Sequence, residues 1–143
     1  MTRFPLNRWI ALLGCSAALA VAQAAGPAMS KEDAAAEKAR IEADYKAQRT
    51  ACDSLSGNAK DICVEEAKGK EKVAKAELDY KREANAKNEG KVAEARAEAT
   101  YAVAKERCDD LAGDQKDVCV KEAKAAKSKA EANAKATRKS TAG

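Results

Sequence analysis

Cys52, Cys63, Cys108 and Cys119 are the residues of this 143-residue chain whose type and spacing could do chemistry. They bound two copies of one stretch: residues 52–63 read CDSLSGNAKDIC and residues 108–119 read CDDLAGDQKDVC. Set 56 residues apart, the copies share Cys, Asp, Leu, Gly, Lys, Asp and Cys in order, and the match runs on as VEEAK against VKEAK. Paired thiols at such spacing could form disulfides, bind a metal or exchange disulfides catalytically. A zinc site would want closely spaced cysteine pairs, and the chain has no histidine to assist. A thiol–disulfide enzyme would want C-x-x-C and a lowered thiolate pKa, neither of which is signalled. The expectation is therefore structural disulfides formed in an oxidising compartment, with no catalytic, cofactor-binding or metal-binding residue.

Four cysteines allow three pairings, and the residues between them choose. Gly57 and Gly113 suit the left-handed conformation that ends a helix. Asn58 and Asp114 suit the N-cap of a returning helix, with Asp61 and Asp117 in its first turn, where the helix dipole favours an anion. Each cysteine pair lies symmetrically about its Gly57-Asn58 or Gly113-Asp114 step. Two antiparallel helices folded there would bring Cys52 to Cys63 and Cys108 to Cys119 at one height, within disulfide reach. The rival treats each eleven-residue spacing as one continuous helix face, since it returns to within about 20°. That would bridge Cys52 to Cys119 and Cys63 to Cys108, and would leave both glycines in mid-helix. The glycines favour pairing within each copy.

Other chemistry-bearing residues carry weaker signals. Tyr45 and Tyr101 occupy matching positions and read as hairpin packing rather than a binding platform. Glu65-Glu66 and Asp109-Asp110 read as solvated faces. From Lys121 to the end, seven Lys/Arg stand against two Glu, a charge of +5. That basic end could meet anions such as lipid head groups or acidic envelope polymers.

The elements that must position these residues are helices. Ser30 opens the first as an N-cap. Ile41, Tyr45, Gln48, Cys52 and Leu55 then form a heptad seam, repeated as Ala97, Tyr101, Ala104, Cys108 and Leu111. The returning helices carry smaller strips: Cys63, Ala67 and Ala74, then Cys119, Ala123, Ala126 and Ala130. Glu-to-Lys pairs four apart, such as Glu42–Lys46, Glu66–Lys70, Glu71–Lys75, Glu77–Lys81 and Glu131–Lys135, lace the surface at ~0.2–0.5 kcal/mol each. Residues 85–90 (NAKNEG) are the expected break between hairpins. Without a break, residues 59–112 would form one rod of roughly 80 Å. The expected fold class is all-α: two tandem antiparallel helical hairpins, coiled-coil-like, each closed by a disulfide. Hairpin one takes residues 25–86, hairpin two 87–136, and 137–143 form a short disordered basic tail. The hairpins are expected to be separate units.

Residues 1–24 resemble a secretory leader: Arg3 and Arg8 precede an apolar run from Ile10 to Val21, and Ala22-Gln23-Ala24 is an A-x-A cleavage signal. The run is short for a membrane span, and no later segment is apolar enough to be one. Leu12-Leu13-Gly14-Cys15 resembles a lipobox, making a lipoprotein through Cys15 the minor alternative. The chain carries 27 Lys+Arg against 23 Asp+Glu, a net +4 that becomes +2 without Arg3 and Arg8. So few large apolar residues would ordinarily suggest disorder. Strong helix formers and cross-links oppose that reading, favouring narrow helices over a globule.

At C-D-x-L-x-G-x-x-K-D-x-C-V-x-E-A-K the sequence resembles a set of small exported proteobacterial proteins that carry this unit once or more. Some are described as TolA-like or cell-envelope biogenesis proteins. The resemblance spans residues 36–81 and 92–124 and implies an envelope, periplasmic location without catalytic residues to carry over. The function expected is a non-enzymatic structural or protein-interaction role in the bacterial cell envelope. The alternative is a periplasmic holdase-like chaperone or stress protein, since basic Ala/Lys-rich hairpins also resemble the arms of Skp. The partner would be a protein or an anionic envelope component, with self-association through the helices also open. An exported protein rarely meets nucleic acid.

Overall fold

A computed structural model describes residues 29–141, so the leader, Cys15 and residues 142–143 lie outside it. Four α-helices follow one another: α1 (Lys31–Ala51), α2 (Gly57–Arg82), α3 (Ala86–Cys108) and α4 (Gly113–Thr141). A 3-10 turn, Cys52–Ser54, extends α1. Ser30 is the α1 N-cap, its hydroxyl accepting from the Asp33 amide at 3.0 Å. Among the described residues each helix packs along its neighbours in the chain, and α1 and α4 do not meet. The result is an open up-down layer rather than a closed bundle. None of these helices is long and apolar enough to cross a membrane.

Alanine and glycine let the helices approach where large side chains are scarce. The buried apolar residues include Ala34 and Ile41 of α1, Ala67 and Leu78 of α2, Val92, Ala95 and Ala97 of α3, and Ala123 and Ala134 of α4. Gly69 is buried in α2, and a Cβ there would lie 2.8 Å from the Ala99 Cβ of α3. Gly90 makes room in the same way for the Arg138 side chain of α4. The two hairpins, expected as separate units, thus share a close α2–α3 contact.

The break falls at Glu83, Ala84 and Asn85, and the helix resumes within the NAKNEG stretch. Asn85 caps α3, its side chain accepting from the Asn88 amide at 2.8 Å. Asn88 is 6% exposed. Its side-chain amide donates to the Glu83 carbonyl at 2.9 Å and the Asp79 carbonyl at 3.4 Å. Two asparagines therefore satisfy both helix ends at the link, which removes the continuous-rod arrangement. At the far end α4 continues to Thr141, so residues 137–141, expected within a disordered tail, are helical. Arg138 holds this end against α3 through Glu94 at 2.7 Å.

Candidate functional site

The disulfides form within each copy. Cys52 joins Cys63 and Cys108 joins Cys119, each with Cα atoms 5.7 Å apart. The turns show why. Gly57 and Gly113 have φ of 56° and 54°, the left-handed region where a Cβ is costly. The glycines enter the second helix rather than ending the first, however. After the 3-10 turn, Leu55 and Ser56 are extended, and Ser56 is the α2 N-cap position without a side-chain bond. Two expectations change accordingly. Asn58 is no N-cap: it lies inside α2, and its side-chain amide donates to the Glu106 carbonyl of α3 at 2.8 Å. Asp114 likewise follows Gly113 inside the first turn of α4. In both turns the residue after the left-handed glycine already lies within the helix, downstream of the cap position.

The Asn58–Glu106 bond sets the two turns side by side at one end of the layer. There Cys52 and Cys108 are fully buried. Beside each disulfide the motif's shared Asp and Lys close an ion pair: Asp53–Lys60 at 2.9 Å and Asp109–Lys116 at 2.8 Å. The lysine hydrogen bonds hold both carboxyls below the usual carboxylate range, and Asp109 raises Lys116 in return. Leu55 and Leu111, expected in the seams, are 42% and 40% exposed, because the helix has ended before the heptad reaches them. With these four cysteines oxidised, no thiolate is left among the described residues for attack or metal ligation. Among the described residues no three His, Cys, Asp or Glu side chains gather as metal ligands would.

The acidic residues singled out in the sequence do not converge. Glu65 pairs with Lys68 at 2.6 Å, Glu66 with Arg107 at 3.1 Å, and Asp109 with Lys116. Of the five Glu-to-Lys pairs expected along single helices, Glu71–Lys75 forms, at 2.7 Å. Several acids reach a neighbouring helix instead. Glu66 and Glu77 of α2 meet Arg107 and Arg96 of α3, the second at 2.6 Å. Lys72 pairs with Glu98, whose carboxyl it lowers. Arginine's longer, forked side chain explains the preference, since it spans the helix–helix gap while keeping its head in water.

These cross-helix pairs frame a feature not foreseen in the sequence. A groove of about 730 Å³ runs along α2 and α3, with Cys119 its one lining residue from α4. Val73, Ala74, Ala99 and Val103 line its floor, and the Glu77–Arg96 and Glu66–Arg107 pairs stand at its rim. A second groove, about 560 Å³, lies alongside between α3 and α4, with seven alanines among its lining residues. Tyr101 lines it with Lys127 of α4 placed 5.4 Å from the ring centroid, a cation–π contact. Tyr101 thus serves hairpin packing, whereas Tyr45 is half-buried between α1 and α2. A signal for the groove exists in the sequence, because Val73 and Val103 are apolar positions outside either seam. No protein-family model, curated protein or solved structure matches the chain.

Proposed function

We propose that the protein is an exported, non-enzymatic helical-repeat protein that docks a partner in the cell envelope. The observation that supports this most is the groove along α2 and α3, with an apolar floor between two ion pairs. An amphipathic helix is the natural occupant of such a groove, laying its apolar face on Val73 and Val103. The disulfides serve this role by holding the turns, and through Asn58 the two hairpins, in fixed register. Placement in the periplasm rests on the leader-like residues 1–24 and on paired cysteines.

Two measurements test the reading. Intact mass of the exported protein should place its N-terminus near Ala25, and a diacylglyceryl-modified Cys15 would replace this by the lipoprotein form. Cross-linking in envelope fractions should capture a stoichiometric protein partner, and Val73→Glu with Val103→Glu should abolish the capture at unchanged helicity. The same open apolar floor also suits a holdase, so suppression of aggregation of unrelated unfolded proteins is the outcome that favours the chaperone reading instead.

A further inference from the structure

The outer helix of the layer carries a feature that neither the groove nor the disulfides use. On α4, Lys121, Lys124, Lys135 and Lys139 are all exposed. At 3.6 residues per turn they fall within an arc of about 60°, spread over about 27 Å of axis. The arc lies roughly 120° round the helix from the strip, Ala123 and Ala134, that α4 buries against α3. Elsewhere on α4, Lys116 pairs with Asp109, Lys127 with Glu131 at 3.6 Å and Arg138 with Glu94, while Lys129 is exposed but stands off the arc, about 80° round from Lys121. Among the described residues the four stripe lysines form no such pair. The acids within their span are Glu122 and Glu131; Glu122 points off the arc, and Glu131 stands at its edge, paired to Lys127.

A second observation concerns the corresponding helix of the first hairpin. Glu65, Lys68 and Asp79 of α2, and Glu83 just past its end, stand as far beyond Cys63 as the four lysines stand beyond Cys119. Three of the four positions are acidic in the first copy and all four are basic in the second. A helix that only needed a solvated face could keep either pattern. Reversal at three positions, with lysine kept at the fourth, builds a line of like charge, which repels itself and costs stability unless an anion faces it.

We infer that this stripe rests on an anionic phospholipid bilayer. The occupant follows from shape as well as charge. The lysines form a straight row on an outermost helix, where a plane can reach all of them at once. A single-stranded polyanion is instead gripped in a groove with stacking aromatics, and the three tyrosines of the chain, Tyr45, Tyr80 and Tyr101, all lie on other helices. With no large apolar residue on the row, contact is peripheral and electrostatic, without insertion. This goes beyond the docking role, since it uses a different helix face, and vesicle binding does not require that role to be right.

The test is co-sedimentation of the full oxidised chain with phosphatidylcholine–phosphatidylglycerol vesicles and with phosphatidylcholine vesicles, in low and high salt. Binding is expected on the anionic vesicles only, and should fade in high salt. Replacing Lys121, Lys124, Lys135 and Lys139 by Gln should weaken it roughly tenfold or more. A control replacing Lys31, Lys46, Lys87 and Lys91, with the same charge loss and the same leader, should bind nearly as wild type. Circular dichroism of both variants checks that the helices persist. Equal weakening by both variants would overturn the stripe. Binding to neutral vesicles, or retention on heparin without vesicle binding, would overturn the bilayer.

Discussion

At the residue scale, the motif's identical positions divide by what they do. The glycines are needed for backbone conformation alone, because a Cβ at Gly57 or Gly113 would meet nothing within 4 Å. Gly57→Ala and Gly113→Ala should therefore each cost about 1–2 kcal/mol, the left-handed penalty, and a urea melt should show losses of that size. Asp53→Asn and Asp109→Asn bear on pH. Both carboxyls are held below the ordinary range by their lysines. Such groups contribute stability that is present above the unfolded value of about 3.9 and is lost as pH falls through the folded value. The doubly substituted protein should accordingly lose less stability than wild type between neutral pH and the acid limb. The difference should be small, because both pairs are exposed and screened. An unchanged acid limb would show that these pairs carry no linkage.

At the element scale, the edge helices are held unequally. α1 buries Ala34 and Ile41 against α2, whereas α4 buries Ala123 and Ala134 against α3. Two alanines offer little area at about 25 cal/mol per Å², so α4 depends more heavily on its disulfide and on Arg138. Closing a loop of this length stabilises by about 2–3 kcal/mol through the unfolded chain. Reduction should thus raise amide exchange in α4 first, and Cys108→Ser with Cys119→Ser should reproduce the effect there alone. Faster exchange in α1 than in α4 would contradict this ranking. The helices, their order and the cysteine pairing were legible because Gly57, Gly113 and the cysteine spacing each act locally. The α2–α3 contact was not legible. It is built from Gly69, Ala99 and a buried Asn88, residue types that on a helix read equally well as surface. Asn58 misled for a related reason: its side chain bonds Glu106, distant in sequence, in place of the local amide that capping rules anticipate.

At the scale of the whole molecule, the link at Glu83, Ala84 and Asn85 is short, while the surface it joins is extensive. Trypsin should cut first near Lys81 or Arg82. The two disulfide-closed halves should then still co-migrate on a native column, held by Gly69 against Ala99 and by Asn58. Separation of the halves without denaturant would mean that this contact is too weak to hold them. An up-down course of four helices also sorts the molecule into two poles. The disulfides, both turns and the exposed Leu55 and Leu111 occupy one. Ser30 lines a cleft with Arg82 and Asn88 at the other, where Thr141 also ends α4. Entry and exit of the described chain therefore share a pole. A fluorophore, affinity tag or surface tether added at either end would leave the cross-linked tips, about 40 Å away along α2, pointing freely outward.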